Sequence, residues 1–531
     1  MTNGQHVGLS TGWAWTSLAE IAELKGGITK GQQRKPGETL RPVPYLRVAN
    51  VQRGYLDLTD VRTIEATDAE VRGLALRPGD ILFNEGGDRD KLGRGWVWRG
   101  ELDECIHQNH VFRARLYDQS IAPKFVSWYA NSVAQSYFFN EGKQTTNLAS
   151  INLTKLGALP LPIPPTTAQR RIVAAIETHL TRLDVAVAAL QRAGANLKRY
   201  RAAVLKAAVE GRLVPTEAEL ARAEGRQYQS SEGVSRHDGM ALNLRTAGSR
   251  FKRAVAAADQ DPDSEAAERP ELPEGWCDSV LGELVLRSEY GTSVKCEYSA
   301  TGVPVLRIPN IAQGRIELSD VKYATRALNL SDQDVLHLGD VLVCRTNGSV
   351  NLIGKAAVVT ATLDPPHTFA SYLLRFRLVE DQILPRWLHL YLSSPRGRRF
   401  IEQNAASSAG QHNISLGLMH RMPLPFPPLD EQERIVAEVE RRLSVIEELE
   451  TAIEHGLKRA ERLRQAILKR AFEGRLVPQD PDDEPASVLL ERIRAERDEP
   501  GREASGGRGR IGGRRGRSGR RGQMRLFDAE I

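Results

Sequence analysis

Several residues in this chain have types and spacing that could support catalysis. Gly348 and Gly354-Lys355 suggest a phosphate-binding loop, but five residues separate the glycines, one more than in that loop. Ala356 stands where a Ser or Thr would bind magnesium. The spacing therefore predicts a turn between two strands and not a nucleotide site.

A second segment, Asp364-Pro365-Pro366-His367, is similar to the (Asn/Asp)-Pro-Pro-aromatic loop that positions a flipped base in amino-methyltransferases. The aromatic residue is missing, and no glycine-rich cofactor loop precedes the segment. We therefore expect no methyltransferase chemistry in this chain.

Two clusters could bind metal ions. His107 and His110 have no cysteine or carboxylate partner set, and the matching segment later in the chain carries Thr368 and Ser371. We interpret both histidines as solvated or turn residues. The second cluster consists of three acidic residues, Glu85, Asp88 and Asp90.

These acidic residues could hold magnesium for a nuclease, but the matching segment has Arg345 and then Asn347-Gly348-Ser349, with no acid. We therefore interpret them as a polar loop. No nucleophile triad is recognisable either. The chain is predicted to be a recognition or scaffold protein and not an enzyme.

The elements that carry these residues occur twice. Residues 205–215 read LKAAVEGRLVP, and residues 468–478 read LKRAFEGRLVP. Residues 161–177 match residues 424–440 at the same offset of 263 residues. A duplicated module suits a target that comes in two halves, or two copies of one partner.

The duplication and the turn signals divide the chain into six parts. In order, these are a β-rich globular module at 12–165, a long helix at 166–215, a flexible linker at 216–272, a second module at 273–428, a second long helix at 429–478, and a polar, Arg/Gly-rich disordered tail at 479–531. Within the linker, Glu217–Glu224 and Phe251–Ala258 are compatible with short helices.

Two long helices are predicted at Thr166–Val209 and Leu429–Phe472 because apolar residues recur there every seven positions. These residues are Ile176, Leu183, Leu190, Leu197 and Val204 in the first helix, and Val439, Ile446, Ile453, Ala460 and Ile467 in the second. Such long stripes require apolar partners. The duplication favours antiparallel pairing of the two helices, and the alternative is that each helix lies separately on its own module.

The net charge of +6 is located in the tail, since residues 501–531 carry nine Arg against Glu503, Asp528 and Glu530. Residues 1–500 are therefore neutral overall. Residues 166–215 hold nine basic and three acidic residues, whereas 429–478 hold ten basic and eleven acidic. This imbalance favours either a nucleic-acid contact on the first helix or pairing of a basic helix with a more acidic one.

Cysteine usage and hydropathy indicate a cytoplasmic protein. The four cysteines are scattered without a CxxC pair, which fits a reduced protein without disulfides or zinc. There is no apolar stretch of membrane-spanning length and no recognisable signal peptide, so no membrane association is expected.

Taken with these motifs, the duplication resembles one known family. Each copy begins with Gly-Trp, contains Gly-Asp-(Ile/Val)-Leu, leads into its helix through Pro-Pro-x₃-Gln-x-Arg-Ile-Val-Ala, and ends on Glu-Gly-Arg-Leu-Val-Pro. The second copy adds Ile353-Gly354-Lys355 and residues 411–415, QHNIS. In this order the motifs are similar to the specificity subunit of Type I DNA restriction–modification enzymes, over about residues 12–478.

The resemblance implies an α+β fold with an internal pseudo-two-fold repeat. Two target recognition domains, each mixed α/β with a β-rich core, would be separated by two long antiparallel paired helices. Each domain would read one half of a bipartite, asymmetric site in double-stranded DNA, and the helices would set the spacer. The chain would be non-catalytic and bind no cofactor or metal itself.

The same resemblance implies two kinds of partner. Two modification (methyltransferase) subunits would use S-adenosylmethionine to methylate adenine, and two restriction subunits would use ATP and magnesium for translocation and cleavage. The alternative, favoured by the neutral charge of residues 1–500, is a coiled-coil interaction scaffold without a DNA role.

DNA-reading side chains are expected to be hydrogen-bonding residues on loops, since Arg or Lys pairs with guanine and Asn or Gln with adenine. The candidates are Arg34, Lys35, Arg94, Lys143, Gln144, Thr145 and Asn147 in the first module, and Arg345, Asn347, Lys355, Gln411, His412 and Asn413 in the second. Arg47, Asn50, Arg307 and Asn310 recur in both copies and are predicted to hold the fold instead.

Residues that repeat at the helix ends are the candidates for structural and partner-docking roles. They are Gln169, Arg171, Gly211 and Arg212 in the first copy, and Gln432, Arg434, Gly474 and Arg475 in the second. Arg212 and Arg475 could instead cap helix C-termini, where the helix dipole favours cations.

Overall fold

The computed structural model describes residues 9–498, except residues 32, 34–35, 89–90, 145–148, 232–270, 300, 329, 333 and 409. The chain divides into two compact units, residues 1–183 with 461–531 and residues 184–460. Each unit contains one β-rich module, the start of one long helix and the end of the other. Among the described residues, no helix has the length and apolar character needed to cross a lipid bilayer.

The module of the first unit is built around a four-stranded antiparallel sheet, in the order 22–25, 111–116, 81–84 and 95–97. Its strands are Ala14–Ser17, Ala22–Lys25, Arg41–Leu46, Val51–Gln52, Tyr55–Leu56, Arg62–Ala66, Ile81–Asn84, Gly86–Gly87, Gly95–Val97, Ile106–His107, Val111–Leu116, Lys143–Gln144, Ala149–Ser150 and Pro160–Ile163. Its helices are Leu18–Ile21, Asp68–Leu74, Pro123–Ala130, Gln135–Glu141 and Leu153–Gly157.

The module of the second unit repeats this design. Its central sheet has the order 285–290, 373–378, 341–344 and 356–358. Its strands are Cys277–Val280, Val285–Tyr290, Cys296–Glu297, Pro304–Leu306, Lys322–Ala324, Val341–Cys344, Thr346–Asn347, Ala356–Val358, Thr368–Phe369, Leu373–Leu378, Ala406–Ser408, Gln411–Asn413 and Pro423–Phe426. Its α-helices are Pro385–Ser393, Pro395–Asn404 and Leu416–His420, and its 3₁₀ turns are Leu281–Glu283, Ile308–Asn310 and Val350–Leu352.

A buried ion pair under each central sheet explains the repeated Gly-Asp-(Ile/Val)-Leu motif. The carboxylate of Asp80 accepts from Nε and Nη2 of Arg115, both at 2.7 Å. The carboxylate of Asp340 accepts from the same two atoms of Arg377, both at 2.8 Å. Both aspartates are essentially without exposed surface. Bidentate pairing of this kind is what makes a buried carboxylate tolerable.

A second repeated contact confirms that Arg47, Asn50 and their counterparts hold the fold. Oδ1 of Asn50 accepts from the backbone N–H of Arg47 at 2.9 Å, and its Nδ2 donates to the carbonyls of Asp57 and Asp60. Asn310 makes the equivalent bonds, accepting from the N–H of Arg307 at 2.8 Å. These asparagines close a turn in each module.

The two predicted long helices are present at Thr166–Val209 and Leu429–Phe472, with 44 residues each. In the first unit, the start of one packs against the end of the other in a single apolar cluster that includes Ile176 and Phe472. In the second unit, the end of the first helix packs against the start of the second, with Val204 and Val439 in one cluster. Antiparallel pairing is therefore confirmed, and the alternative of two separate helices is wrong.

Polar contacts in the second unit show how the basic first helix meets the more acidic second one. Nη2 of Arg201 lies 3.0 Å from Oε2 of Glu450 and Nη1 lies 3.9 Å from Oε1 of Glu447. Gly456 lies against Leu190, where a side chain on the glycine would be crowded. The charge difference between the helices thus contributes to their pairing, although such half-exposed ion pairs each contribute only about 0.2–1 kcal/mol.

The segment after the second long helix differs from the predicted disordered tail. Ala486–Asp498 forms a helix, so the prediction of a disordered tail over 479–531 is wrong for these residues. Leu489, Leu490 and Ile493 explain the difference, because they are buried in the apolar core of the first unit. In the linker, the predicted helix Glu217–Glu224 is confirmed. Residues 232–270, which include the other predicted helix, and 499–531 lie outside the described part.

Candidate nucleic-acid interface

The glycines before Arg94 and Lys355 form tight turns, and the turn at Gly354 was predicted from the sequence. Gly354 has φ +75° and Gly93 has φ +63°, and both turns join neighbouring strands of the central sheet. A side chain at either glycine would collide with Ile401 or Phe138. These contacts explain why a glycine occupies position 354. Lys355, which follows it, is exposed at the surface.

Lys355 belongs to a positive cluster in the second unit. Partial desolvation and the charges of Arg398 and Arg201 lower the pKa of Lys355. Arg398 is fixed there because Nη1 donates to the carbonyl of Ile353. Arg201 and Arg398 also pair with Glu450 and Glu402, so part of their charge is balanced within the chain. The exposed Lys355 is therefore the cation of this group best placed to contact a phosphate.

A small three-stranded sheet lies beside this cluster and carries most of the other candidates of the second module. Its strands are Thr346–Asn347, Gln411–Asn413 and Ala406–Ser408, with Asn347 opposite His412. We call this sheet and its counterpart in the first module the hairpin sheets. Gln411 is exposed, whereas Asn347 and His412 are partly buried.

Two of these polar side chains are already engaged within the chain. Oδ1 of Asn413 accepts from the hydroxyl of Thr346 at 2.9 Å, and Oδ1 of Asn347 accepts from the N–H of Ser349 at 2.8 Å. An asparagine that reads adenine needs both its oxygen and its nitrogen. Gln411, whose amide has no partner among the described residues, is therefore better suited to base reading than either asparagine.

The hairpin sheet of the first module has strands Lys143–Gln144, Ala149–Ser150 and Gly86–Gly87 in the corresponding order. Lys143 is exposed on one edge strand. Arg94 follows the Gly93 turn and is partly buried. The candidates Arg34, Lys35, Thr145 and Asn147, and the side chain of Gln144, lie outside the described residues.

Next to each hairpin sheet lies a charged side chain in contact with an aromatic or imidazole ring. In the second module the guanidinium of Arg345 lies 4.6 Å from the ring centroid of Tyr290. In the first, Nδ1 of His110 lies 2.6 Å from Oε2 of Glu85. Tyr290, Tyr372 and the Glu85–His110 pair were missed as recognition candidates. The exposed rings of Tyr290 and Tyr372 mark them in the structure, and the sequence alone does not show that exposure.

The interpretation of the acidic residues as a polar loop is supported where the structure describes them. Glu85 pairs with His110, and Asp88 pairs with Lys91. Asp90 lies outside the described residues. In the described part of the chain, no three His, Cys, Asp or Glu residues are grouped so that they could hold a metal ion.

The interpretation of the two histidines is correct for His110 and wrong for His107. His110 lies in an exposed turn, but His107 has no exposed surface because its strand runs beneath the module surface. Burial lowers the pKa of His107 to about 4. Strand pairing makes Phe369, and not Thr368, its counterpart, since His107 lies opposite Leu46 and Phe369 lies opposite Leu306.

Gln169 and Gln432 are not available for docking a partner. Both are fully buried. Oε1 of Gln169 accepts from the N–H of Ala122 at 2.8 Å, and Oε1 of Gln432 accepts from the N–H of Leu384 at 2.9 Å. Each amide thus joins the start of a long helix to its own module. This corrects the docking assignment of both residues to a structural one.

Arg171 and Arg434 form equivalent ion pairs. Nη2 of Arg171 lies 2.5 Å from Oδ2 of Asp483, and Nη2 of Arg434 lies 2.7 Å from Oε2 of Glu217. Each acid follows an Arg-Leu-Val-Pro segment. The two pairs attach the chain after one long helix to the start of the other, while both arginines keep about a third of their side-chain surface exposed.

The glycine and the arginine that end each long helix have different roles. Gly211 and Gly474 have φ near +65° to +69°, the left-handed conformation that ends helices, and face Pro273 and Ser10 respectively. Arg212 and Arg475 have 64% and 74% of their side chains exposed. Of the repeated helix-end residues, these two arginines are the most accessible to a partner.

Comparisons with known proteins agree with this architecture. No family model matches the chain. The chain is 26% identical to the type I restriction enzyme EcoKI specificity subunit of Escherichia coli K12, over 94% of this chain and 97% of that protein. It is 25% identical to the StySPI specificity subunit of Salmonella potsdam, over 92% and 96%.

Two solved structures share the fold. A chain from a structure of the type I restriction–modification system matches with a TM-score of 0.55 and 20% identity, over 88% of this chain and 99% of that one. The HsdS subunit from Thermoanaerobacter tengcongensis matches with a TM-score of 0.50 and 18% identity, over 89% and 99%.

Proposed function

Because this chain is a homologue of type I restriction enzyme specificity subunits, we propose that it is the DNA-recognition subunit of a type I restriction–modification complex. It is non-catalytic itself, and each module reads one half of a bipartite, asymmetric site. The observation that carries the proposal is a duplicated module whose internal contacts repeat while its hairpin sheets carry different polar side chains.

The surface chemistry of the second module supports this role. Gln411 on the hairpin sheet can bind base edges, and the exposed Lys355 can bind a phosphate. The neutral net charge of residues 1–500 does not oppose this role, because single exposed cations such as Lys355 can contact phosphates whatever the net charge of the chain. The comparisons give no support to the alternative of an interaction scaffold.

We further propose that the two long helices set the spacer between the half-sites. A 44-residue helix is about 66 Å long at about 1.5 Å per residue. Two half-sites on one face of B-DNA lie about 34 Å apart for each helical turn of DNA. The helices are therefore long enough for the task.

The repeated helix ends suit two copies of one partner, and we propose that Arg212 and Arg475, together with Arg171 and Arg434, contribute to docking two modification subunits. Two restriction subunits complete the assembly. S-adenosylmethionine, ATP and magnesium are used by these partners and not by this chain. The complex acts in the cytoplasm, where it meets DNA.

Genome-wide adenine methylation tests the proposal. Cells that carry this chain with its modification subunit are compared with cells in which only this chain is absent. The proposal predicts a bipartite methylated motif that disappears with the chain. Unchanged methylation, combined with no specific DNA binding by the purified complex, would contradict it.

A further inference from the structure

Glu85 and Arg345 occupy the same backbone position in the two modules. Each directly follows a buried central strand and precedes an edge strand of the hairpin sheet. The N–H of Glu85 donates to the carbonyl of His110 and the N–H of Arg345 to that of Tyr372, both at 2.9 Å. Their own carbonyls accept from Ile151 and Ile414, both at 2.9 Å. The backbone is thus repeated while the side-chain charge is reversed.

Each charged side chain is held in place by a neighbour at the surface. The carboxylate of Glu85 accepts from the imidazole of His110, whose side chain is 54% exposed. Arg345 lies over the ring of Tyr290, and the hydroxyl of Tyr290 accepts from the N–H of Leu416 at 3.2 Å. Positioning by a partner lowers the entropy lost when a base is bound.

The donors of Arg345 are largely unused within the chain. Its Nε–H meets no acceptor among the described residues but is enclosed, so only the Nη groups could reach a base. Nη1 makes one long contact, 3.4 Å, with the carbonyl of Ser371. By contrast, Arg377 in the same module uses both Nε and Nη2 on Asp340. Arg345 therefore has hydrogen-bonding capacity that the fold does not use.

A reversal of charge at a repeated backbone position is not needed for folding, because the contacts shown to repeat in both modules involve the side chain of neither Glu85 nor Arg345. It is expected where two similar modules read different bases. Arginine matches the two acceptors of guanine in the major groove, and a carboxylate accepts from the amino group of cytosine.

We propose that Arg345 and Glu85 are specificity-determining residues at corresponding positions of the two half-sites, with Arg345 selecting a guanine and Glu85 a cytosine. Tyr290 and His110 position them. This inference rests on the proposed function, since it requires that the chain reads DNA.

The test is the methylated motif in cells that carry the whole complex with variants of this chain. Arg345→Gln is expected to relax one guanine position towards adenine, because glutamine pairs with adenine. Arg345→Lys is expected to retain the guanine. Discrimination should fall roughly 5- to 150-fold with Arg345→Gln, and the other half-site should stay unchanged. Glu85→Ala should relax one cytosine in that other half-site.

A matched control is Arg315→Gln, which changes another arginine of the second module that is 74% exposed and paired with Glu317. It should leave the motif unchanged. If Arg345→Gln lowers methylation at all sites without changing the motif, Arg345 is a phosphate or structural contact and the inference is wrong.

Different results would contradict the proposed function and the assignment of Arg345 and Glu85. A wild-type chain that directs no bipartite motif contradicts the proposed function. A wild-type motif without a guanine in one half-site and a cytosine in the other, or with both unaffected by the variants, contradicts only the assignment of Arg345 and Glu85. Where Arg345→Gln abolishes methylation, the Arg345→Lys variant decides: loss of the guanine preference would also contradict the assignment.

Discussion

Replacement of His107 by phenylalanine should remove a defined part of the pH dependence of stability. His107 is fully buried, its Nδ1 lies 2.6 Å from the carbonyl of Val111, and its Nε2 has no partner among the described residues. Phe369 occupies the equivalent position of the second module, so the phenylalanine fits this strand environment. The variant His107→Phe cannot bind a proton.

The magnitude follows from the pKa of His107. Burial lowers that pKa from 6.5 to about 4, so the folded chain binds fewer protons than the unfolded chain between these values. Stability is therefore complete above about pH 6.5 and is lost as the pH falls towards about pH 4. The full loss is about 3 kcal/mol, and about 2 kcal/mol of it should be lost between about pH 7 and about pH 5.

The assay is urea unfolding of wild type and variant at these two pH values, followed by tryptophan fluorescence. Relative to the variant, wild type should be about 2 kcal/mol less stable at the lower pH than at the higher one. The lost bond to Val111 affects both pH values equally and cancels. His179→Phe, at an exposed helix position, is the control and should behave as wild type. An equal stability difference at both pH values would refute the reasoning.

Three further predictions concern the fold and the spacer. Asp340→Ala should cost about 3–5 kcal/mol of unfolding free energy, because it removes a buried carboxylate from the partly buried Arg377 and the fully buried Arg375. A loss below about 1 kcal/mol in urea titration would contradict this. Phe472→Ala should cost about 3–5 kcal/mol of unfolding free energy, because its ring packs edge-on against Phe125 and Tyr129, with centroids 5.3 and 5.2 Å away. An unchanged denaturation midpoint would show that this packing does not stabilise the first unit. Inserting one helical turn after Arg192 and after its counterpart His455 should lengthen the spacer of the methylated motif without changing either half-site, and altered half-sites with an unchanged gap would disprove the spacer role.

The sequence was most predictive where a pattern repeats along the chain. Heptad spacing and the preceding Pro-Pro stops predicted the long helices Thr166–Val209 and Leu429–Phe472, and the duplication favoured their pairing. Asn50 and Asn310 were identified as structural because they recur although the surrounding modules differ. Repetition separates residues that hold a shared fold from residues that differ with the target.

Other features depended on contacts between residues distant in sequence. Burial of His107 depends on a parallel strand pairing with residues 45–46, which no local pattern shows. The helix Ala486–Asp498 is ordered because the core of the first unit, more than 300 residues earlier in the chain, covers its apolar face. The amides of Gln169 and Gln432 were assigned to docking because repetition alone does not distinguish a buried contact from an exposed one.

Exchange of one module is the most direct test that each module reads one half-site. In the variant, residues 273–428 are replaced by a second copy of residues 12–165, with both long helices unchanged, and the methylated motif is determined in cells that carry the modification subunit. We predict a symmetric motif made of two inverted copies of the half-site read by the first module. Retention of the original asymmetric motif would contradict it.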